Sequence, residues 1–212
     1  MLRTALLCAA LALGGYASAS WLTHDFQVWT AEGARRLEVA LTPVAAPAVR
    51  VEGPDAAPQP LPQLLGDGRS VVIVDFFYTR CRAVCLALGS VFQQMQAALQ
   101  AADESGAPAG VRLLSISFDP ERDTTQDLQR YAARMKAQPR WWRFVRPADT
   151  QQAARLLASY QVVVVPDGRG DFEHNAALLV VDQRGRLVRV FDPAEQQLAL
   201  DYARDLAARE VQ

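Results

Sequence analysis

A continuous run of apolar, strand-forming residues is the feature of this sequence that most restricts its fold. The run is SVVIVDFFY at residues 70–78, and a second one, VRLLSISFD, follows at residues 111–119. Strands that are apolar along their whole length are typical of parallel sheets buried on both faces. Between the two runs, residues 83–102 carry apolar side chains at helical spacing. The sequence therefore predicts a strand, a helix and a parallel strand of an α/β domain.

The segments that follow predict the rest of this domain. A helix capped by Asp123 or Thr124 should follow the second strand, and another should run from residue 150 to about residue 160. The sequence at residues 176–192 alternates around the turn DQRGR and predicts a β-hairpin. A helix with a capping box closes the chain. The order β-α-β-α-α-β-β-α is that of a thioredoxin-like fold, in which functional sites lie at the carboxyl ends of central strands.

The N-terminus predicts export of the folded part. Arg3 precedes an apolar core, and Ala17–Ala19 has the small-x-small form of a signal-peptidase site, so that cleavage there would also remove Cys8. The alternative is an uncleaved anchor, because residues 4–22 carry no charge over a length that just spans a bilayer. Both interpretations place the domain in an oxidising compartment, where thiols are normally paired or bound to metal.

Composition limits the number of domains and the class of partner. The 212 residues suffice for one well-buried domain with short extensions. Lys and Arg total 22 against 23 Asp and Glu, so no basic excess favours a nucleic-acid partner. We expect a signal peptide or membrane anchor, an N-terminal extension with one or two short strands and a Pro-rich loop, and a thioredoxin-like domain, at residues 1–19, 20–57 and 58–212.

Two cysteines occupy the junction between the first buried strand and its helix. Cys81 and Cys85 are four residues apart, so on a helix they project from the same face with a rise of ~6 Å. This spacing permits a disulfide and equally permits two thiolates to bind one soft metal ion. The helix N-terminus and the flanking Arg80 and Arg82 favour the thiolate form. A redox pair, a metal site and a structural disulfide are all compatible with the spacing, although closing so short a loop stabilises a fold little.

His174 is a third candidate ligand. It lies just before the strand predicted at residues 177–181, in a loop that passes beside the N-terminus of the first helix in a thioredoxin-like topology. Imidazole and two thiolates form a three-coordinate site suited to Cu(I), whereas zinc would need a fourth ligand. The alternative for a loop histidine is a surface or hydrogen-bonding role. His24, the other histidine, is expected in the N-terminal linker.

Three segments, in this order, resemble the SCO/SenC family: VVIVDFFYTRCRAVC, LLSISFDPERDT and HNAALLVVDQRGRLVRVFD. The resemblance covers residues 61–191. It implies a thioredoxin-like protein, exported or tethered to a membrane, that assists assembly of the binuclear copper centre of cytochrome c oxidase. It also implies that Cys81, Cys85 and His174 are the copper ligands. Asp119 matches an acidic family position near the site, and forming the turn ahead of Pro120 is an equally good explanation of it.

The chain departs from the family pattern beside the cysteines and before the histidine. Arg82 and Leu86 stand where the family usually has prolines, which leaves the turn less rigid and places a cation next to the thiolates. The tyrosine-rich family segment before the histidine is replaced by YQVVVVPDG, at residues 160–168. These departures concern the surface that would meet a partner rather than the ligand set.

Two functions follow from these residues. An exported metallochaperone, soluble in the periplasm or anchored to the inner membrane, would pass copper to the copper-accepting subunit of cytochrome c oxidase or to another copper chaperone. The alternative is a thiol-disulfide oxidoreductase that reduces the cysteines of a copper acceptor, with Cys81 attacking and Cys85 resolving; Arg82 modestly favours it. A peroxiredoxin-like peroxidase is a third hypothesis, but the sequence around Cys81 supplies its threonine-containing context poorly.

Overall fold

The computed structural model describes residues 2–23, 25–81, 84–106, 110–168 and 170–209, and the side chains of residues 84–87 lie outside this description. The helices are α1 Leu2–Leu22, α2 Ala31–Leu41, α3 Leu61–Leu65, α4 Val84–Glu104, α5 Thr125–Arg134, α6 Thr150–Ser159 and α7 Gln196–Arg209, with a 3-10 turn at Pro193–Glu195. The strands are β1 Val44–Ala45, β2 Arg50–Gly53, β3 Ala56–Pro60, β4 Val71–Phe77, β5 Val111–Ser117, β6 Trp142–Pro147, β7 Val164–Pro166, β8 Phe172–His174, β9 Leu178–Val181 and β10 Arg186–Phe191.

The predicted α/β architecture with a thioredoxin-like sheet is confirmed. Within the described residues, eight strands form one sheet in the order β1-β10-β9-β4-β5-β6-β2-β3. Strands β4, β5 and β6 run parallel, and β9 pairs antiparallel with β4. Every residue of β4 is buried, as its uninterrupted apolar sequence predicts. Phe76 packs on Tyr160 beside α6, while Phe77, on the opposite face, packs on Tyr131 of α5, so helices cover both faces of β4.

The hairpin at the end of the sheet also agrees with the sequence. Strands β9 and β10 pair antiparallel on either side of the DQRGR turn. The capping box at Asp192 is present, although the turn that it caps is 3-10 and leads into α7. Of the two candidate caps for α5, Thr124 is the cap and forms a capping box with Asp127. Asp123 is fully buried instead, and its partners are described with the site.

One central strand was missed by the sequence analysis. Strand β6 lies next to β5 in parallel register, with Leu113 opposite Trp142, and completes the β4-β5-β6 core. Two arginines interrupt its apolar pattern, which is why it did not appear as a buried strand. The guanidinium of Arg146 is hydrogen-bonded within the fold: it donates to the Pro120 carbonyl at 2.9 Å and to Glu52 at 2.6 Å. A charged residue inside a strand is tolerated where such partners reach it.

The N-terminal extension is more regular than predicted. Helix α2 forms inside it, and Thr30 caps this helix by accepting a hydrogen bond from Gly33 N. The segment expected to be a Pro-rich loop forms β3 and α3. Strand β3 is the edge strand of the sheet, where the missing N–H of a proline is tolerated. The boundary expected between residues 57 and 58 falls inside β3, so the extension contributes strands to the same sheet.

The N-terminal helix α1 stands apart from this sheet. Its 21 residues are long and apolar enough to cross a membrane by length and composition, and none of them is buried against the rest of the described chain. Cys8 is exposed on it. His24, expected in the linker that follows, lies outside the described residues.

Candidate metal centre

The two cysteines follow β4, at the junction that the sequence predicts. Cys81 is buried in the loop after Tyr78, and its backbone N–H donates to the Tyr78 carbonyl at 3.3 Å. Cys85 lies in the first turn of α4, where unpaired backbone N–H groups and the helix dipole favour a thiolate. The Cys85 side chain and the neighbouring Arg82 lie outside the described residues.

His174 ends a short strand rather than lying in a loop. It belongs to β8, which pairs antiparallel with β7 so that His174 stands opposite Val164. Its imidazole packs edge-on against Phe118, with ring centroids 5.3 Å apart. Burial lowers the pKa of His174 below its usual value of 6.5, so the imidazole is neutral at neutral pH. The neutral form is the one that binds metals.

A cluster of three aromatic rings joins the histidine hairpin to the cysteine segment. Tyr78 packs on Phe118 at 5.2 Å and on Phe172 at 5.3 Å, and Phe118 contacts Phe172 at 5.5 Å between ring centroids. The Tyr78 hydroxyl also accepts a hydrogen bond from Phe172 N at 3.3 Å. Tyr78 precedes Cys81 by three residues and Phe172 precedes His174 by two. The structure therefore brings both segments to the carboxyl ends of β4 and β5.

The loop after β5 contacts both of these segments. The buried Asp123 carboxylate accepts hydrogen bonds from Thr79 N at 2.9 Å and from the Ser117 hydroxyl at 2.6 Å. Burial is the largest influence on Asp123 and raises its pKa. Asp119, which the resemblance places at an acidic family position, is buried and forms an ion pair with Arg122. Asp119 therefore binds the Arg122 guanidinium in addition to starting the turn at Pro120.

Asp123, Arg122 and the aromatic cluster were missed as site residues by the sequence analysis. Asp123 was expected only as a helix cap, because a cap position next to Thr124 explains an aspartate locally. Its bonds to Thr79 cross 44 residues of chain, a relation that no local pattern encodes. The available signal was the composition of DPERDT, where four charged residues follow a strand that is almost entirely buried.

The complete set of three ligands stays a prediction. No group of three or more His, Cys, Asp or Glu side chains within metal-binding reach occurs in the described part of the chain. The Cys85 side chain is not included in that part, and the predicted set contains it. What the structure supports is the shared location of Cys81, the α4 N-terminus and the His174 hairpin.

A family model described as SCO1/SenC matches residues 65–208. The SCO1 protein homolog of Bacillus subtilis (strain 168) is 24% identical over 127 residues, which are 59% of this chain and 63% of that protein, so the match spans less than two thirds of the relative's length.

Two solved structures have the same fold. BsSco, a member of the Sco family of cytochrome c oxidase assembly proteins in which a disulfide switch was identified, superposes with a TM-score of 0.66 at 19% identity, covering 79% of this chain and 95% of that one. Bradyrhizobium japonicum ScoI with copper bound superposes with a TM-score of 0.59 at 23% identity, covering 75% and 99%. At these identities the superpositions show the likeness of the folds.

Proposed function

The chain belongs to the SCO1/SenC family, and we propose that it is an exported copper-binding metallochaperone that assists assembly of the binuclear copper centre of cytochrome c oxidase. The relatives support this function, since BsSco belongs to a family of cytochrome c oxidase assembly proteins and B. japonicum ScoI has been solved with copper bound. Copper is the cargo of such a protein, taken up and then released.

The packing of the His174 hairpin on the ends of β4 and β5 carries this proposal. Through Tyr78 and Phe118, it holds a neutral imidazole at the end of the sheet where Cys81 and the α4 N-terminus lie. Two thiolates and one imidazole suit Cu(I) and leave a side open for an incoming ligand. Cys81, Cys85 and His174 would bind the ion, and an acceptor's thiolates would displace them one at a time. Because an oxidised cysteine pair offers no thiolates, copper loading depends on its reduction.

Helix α1 supports an exported location for the domain. An apolar helix of membrane-spanning length directly before the folded part fits either a signal peptide or an anchor in the inner membrane, with the domain facing the periplasm. The acceptor we propose is the copper-accepting subunit of cytochrome c oxidase or another copper chaperone. An anchor through residues 4–22 would restrict the search for a membrane-bound acceptor to the membrane surface.

Thiol-disulfide exchange is the second candidate function. Cys81 precedes the α4 N-terminus, the position at which thiolates are stabilised, and BsSco contains a disulfide switch. The Cys81 thiolate would attack an acceptor disulfide, forming a mixed disulfide and releasing one acceptor thiolate. Cys85 would then attack Cys81 and release the second. The acceptor gains two electrons, and the Cys81–Cys85 pair becomes a disulfide that a thiol reductant must restore.

A Cu(I) titration of the reduced full-length protein in detergent tests the proposed function. With a competing Cu(I) chelator, we expect His174→Ala to weaken copper binding at least about tenfold, because a direct ligand matters at least as much as the groups that orient one. Disulfide exchange by the same variant should stay near the wild-type rate.

The chain offers a matched control in its other histidine. His24→Ala removes the imidazole that the sequence predicts to lie in the N-terminal linker, and the variant should bind Cu(I) as the wild type does. Equal Cu(I) affinity of His174→Ala and wild type would remove the histidine from the site. In a Cys81→Ser variant, retention of copper binding would contradict the chaperone function as described, and retention of disulfide exchange would contradict the oxidoreductase function.

A further inference from the structure

We propose that the loop Asp119–Asp123 positions both halves of the copper site, holding the cysteine segment through Asp123 and the histidine hairpin through Arg122. We call residues 119–123 the clamp loop. The clamp loop would control how closely His174 approaches the cysteines, and this consequence rests on the proposed function. Asp123 and Arg122 are positioning residues, since they act through Thr79 and through the hairpin.

The Asp123 side of the clamp loop fixes the chain that leads into Cys81. Its Oδ2 accepts from Thr79 N at 2.9 Å and its Oδ1 accepts from the Thr79 hydroxyl at 2.5 Å. Oδ2 also accepts from the Ser117 hydroxyl at 2.6 Å, which ties Thr79 to the end of β5. The carboxylate accepts from the Thr79 N–H, which can only donate, and from both hydroxyls; an amide would lose the negative charge and would turn its NH₂ group toward a hydroxyl, which must then accept instead of donating. Thr79, two residues before Cys81, therefore has one fixed conformation.

The Arg122 side fixes the hairpin that carries His174. Arg122 Nη1 donates to the Gly170 carbonyl at 2.8 Å, and the guanidinium lies over the Phe172 ring, 4.8 Å from its centroid. Arg122 Nε donates to Asp119 Oδ2 at 2.5 Å, which orients the guanidinium plane. A lysine would supply charge without this planar, three-way geometry. Gly170 and Phe172 precede His174 by four and two residues, so the contact acts at the base of the ligand-bearing strand.

The clamp loop is itself held in one conformation. Asp119 N donates to the Ser117 hydroxyl at 3.2 Å, and the N–H groups of Arg122 and Asp123 both donate to the Asp119 carbonyl, at 3.2 and 2.9 Å. Two adjacent residues of this turn thus contact different ligand segments: Arg122 contacts the histidine hairpin, and Asp123 contacts the cysteine segment. The separation between cysteines and histidine is set by the clamp loop, and disturbing either side should have a different consequence.

Amide hydrogen exchange on the copper-free, full-length protein tests the Arg122 side without depending on copper. We expect Arg122→Gln to speed exchange of the β7 and β8 amides at least about tenfold while leaving β4 and β5 unchanged, because it removes the contacts of the hairpin with the loop. The control is Arg186→Gln, which removes a comparable arginine–aspartate pair from the β9–β10 turn. Unchanged exchange of β7 and β8 in Arg122→Gln would overturn the proposal, whether or not the protein binds copper.

A double-mutant cycle tests whether Arg122 acts through the histidine. Arg122→Gln should weaken Cu(I) binding about tenfold in the wild type and have little effect in the His174→Ala background, because coupled residues are not additive. An equal loss in both backgrounds would overturn the positioning role. A wild type that binds no Cu(I) would contradict the proposed function. The amide hydrogen-exchange experiment would still test whether the clamp loop holds the hairpin.

The cysteine side is tested by thiol-disulfide equilibrium. Asp123→Asn should shift the equilibrium of the Cys81–Cys85 pair with a reference dithiol about tenfold, whereas Arg122→Gln should leave it unchanged. Thr79→Val is the milder variant, because it removes only the hydroxyl bond and keeps the N–H bond to Asp123; it should shift the equilibrium in the same direction by less. If Thr79→Val leaves the equilibrium unchanged, or Arg122→Gln shifts it equally, the two-sided assignment is wrong.

Discussion

Two regions of the sheet bury aspartates in different ways. In the β9–β10 hairpin, Asp182 accepts hydrogen bonds from Arg184 N and Arg186 N of its own turn and pairs with the Arg186 guanidinium at 2.7 Å. In the β4–β5 pair and the loops after it, Asp75 and Asp123 are also buried. Neither of them pairs with a cation in the described part of the chain. The hairpin pairs its buried aspartate with a cation of its own turn, as Asp119 of the clamp loop does with Arg122, whereas Asp75 and Asp123 lack such a cation.

Burial without a paired cation raises the pKa values of Asp75 and Asp123, the two carboxyl groups of the site region. Desolvation raises the pKa of Asp75 from 3.8 to about 7, against the opposing effect of a hydrogen bond from Ser115. Asp75 Oδ1 has no hydrogen-bond partner among the described residues. Burial also raises the pKa of Asp123. A buried carboxyl that lacks a cation and has an unsatisfied oxygen, as Asp75 does, lowers stability at neutral pH, and carboxyls with raised pKa values collect at functional sites.

Asp75→Asn should give the largest change in stability and sharpen this comparison. Because the folded-state pKa lies above the unfolded value, the carboxyl contributes its full stability below about pH 4, and this contribution is lost as pH rises to about 7. Asparagine does not titrate, so the variant should gain stability relative to the wild type across this range. The gain should reach about 4 kcal/mol at most above pH 7, at about 1.4 kcal/mol per pKa unit. Urea unfolding at pH 4.5 and pH 8 measures it.

The shape of that pH dependence matters more than its size. A stabilisation that is equal at both pH values would mean that packing, not ionisation, accounts for the effect. The Ser115 hydroxyl, which accepts from the Trp142 indole at 2.8 Å, should keep its partner in the variant, because asparagine retains an acceptor oxygen.

Asp182→Asn should have the opposite sign and a smaller size. Asparagine keeps an acceptor oxygen for the two backbone N–H groups of the turn but loses the negative charge and the acceptor of the Arg186 guanidinium, and hydrogen bonds to charged groups are worth about 1.5–3 kcal/mol. We expect a loss of about 2 kcal/mol in the free energy of unfolding at pH 7, measured by urea denaturation, with Cu(I) affinity unchanged. A gain of stability here would break the comparison, since both regions would then behave as uncompensated.

The same contrast explains what the sequence predicts and what it does not. The DQRGR turn and the capping box at Asp192 were predicted correctly, because in each the donor and acceptor lie within four residues. Asp123 was assigned only a capping role, since its partner Thr79 is distant in the chain. Strand β6 was missed because Arg143 and Arg146 interrupt its apolar pattern, and the partners of Arg146, Glu52 and the Pro120 carbonyl, are distant in the chain. Cys81 and His174 could be proposed from residue type, but the packing of their segments depends on tertiary contacts.

Thr124→Ala should give the smallest effect, and it separates a local role from a long-range one at adjacent positions. Thr124 caps α5 by accepting from Asp127 N, and its loss should cost about 1 kcal/mol in unfolding experiments. Its capping bonds stay within the first turn of α5, so Cu(I) affinity and the thiol-disulfide equilibrium of the cysteines should not change. Asp123, one residue earlier, bonds to Thr79 and should change both. If Thr124→Ala altered the cysteines as strongly as Asp123→Asn, the position of α5 rather than the carboxylate would govern the site, and the distinction between the self-contained hairpin and the long-range site region would fail.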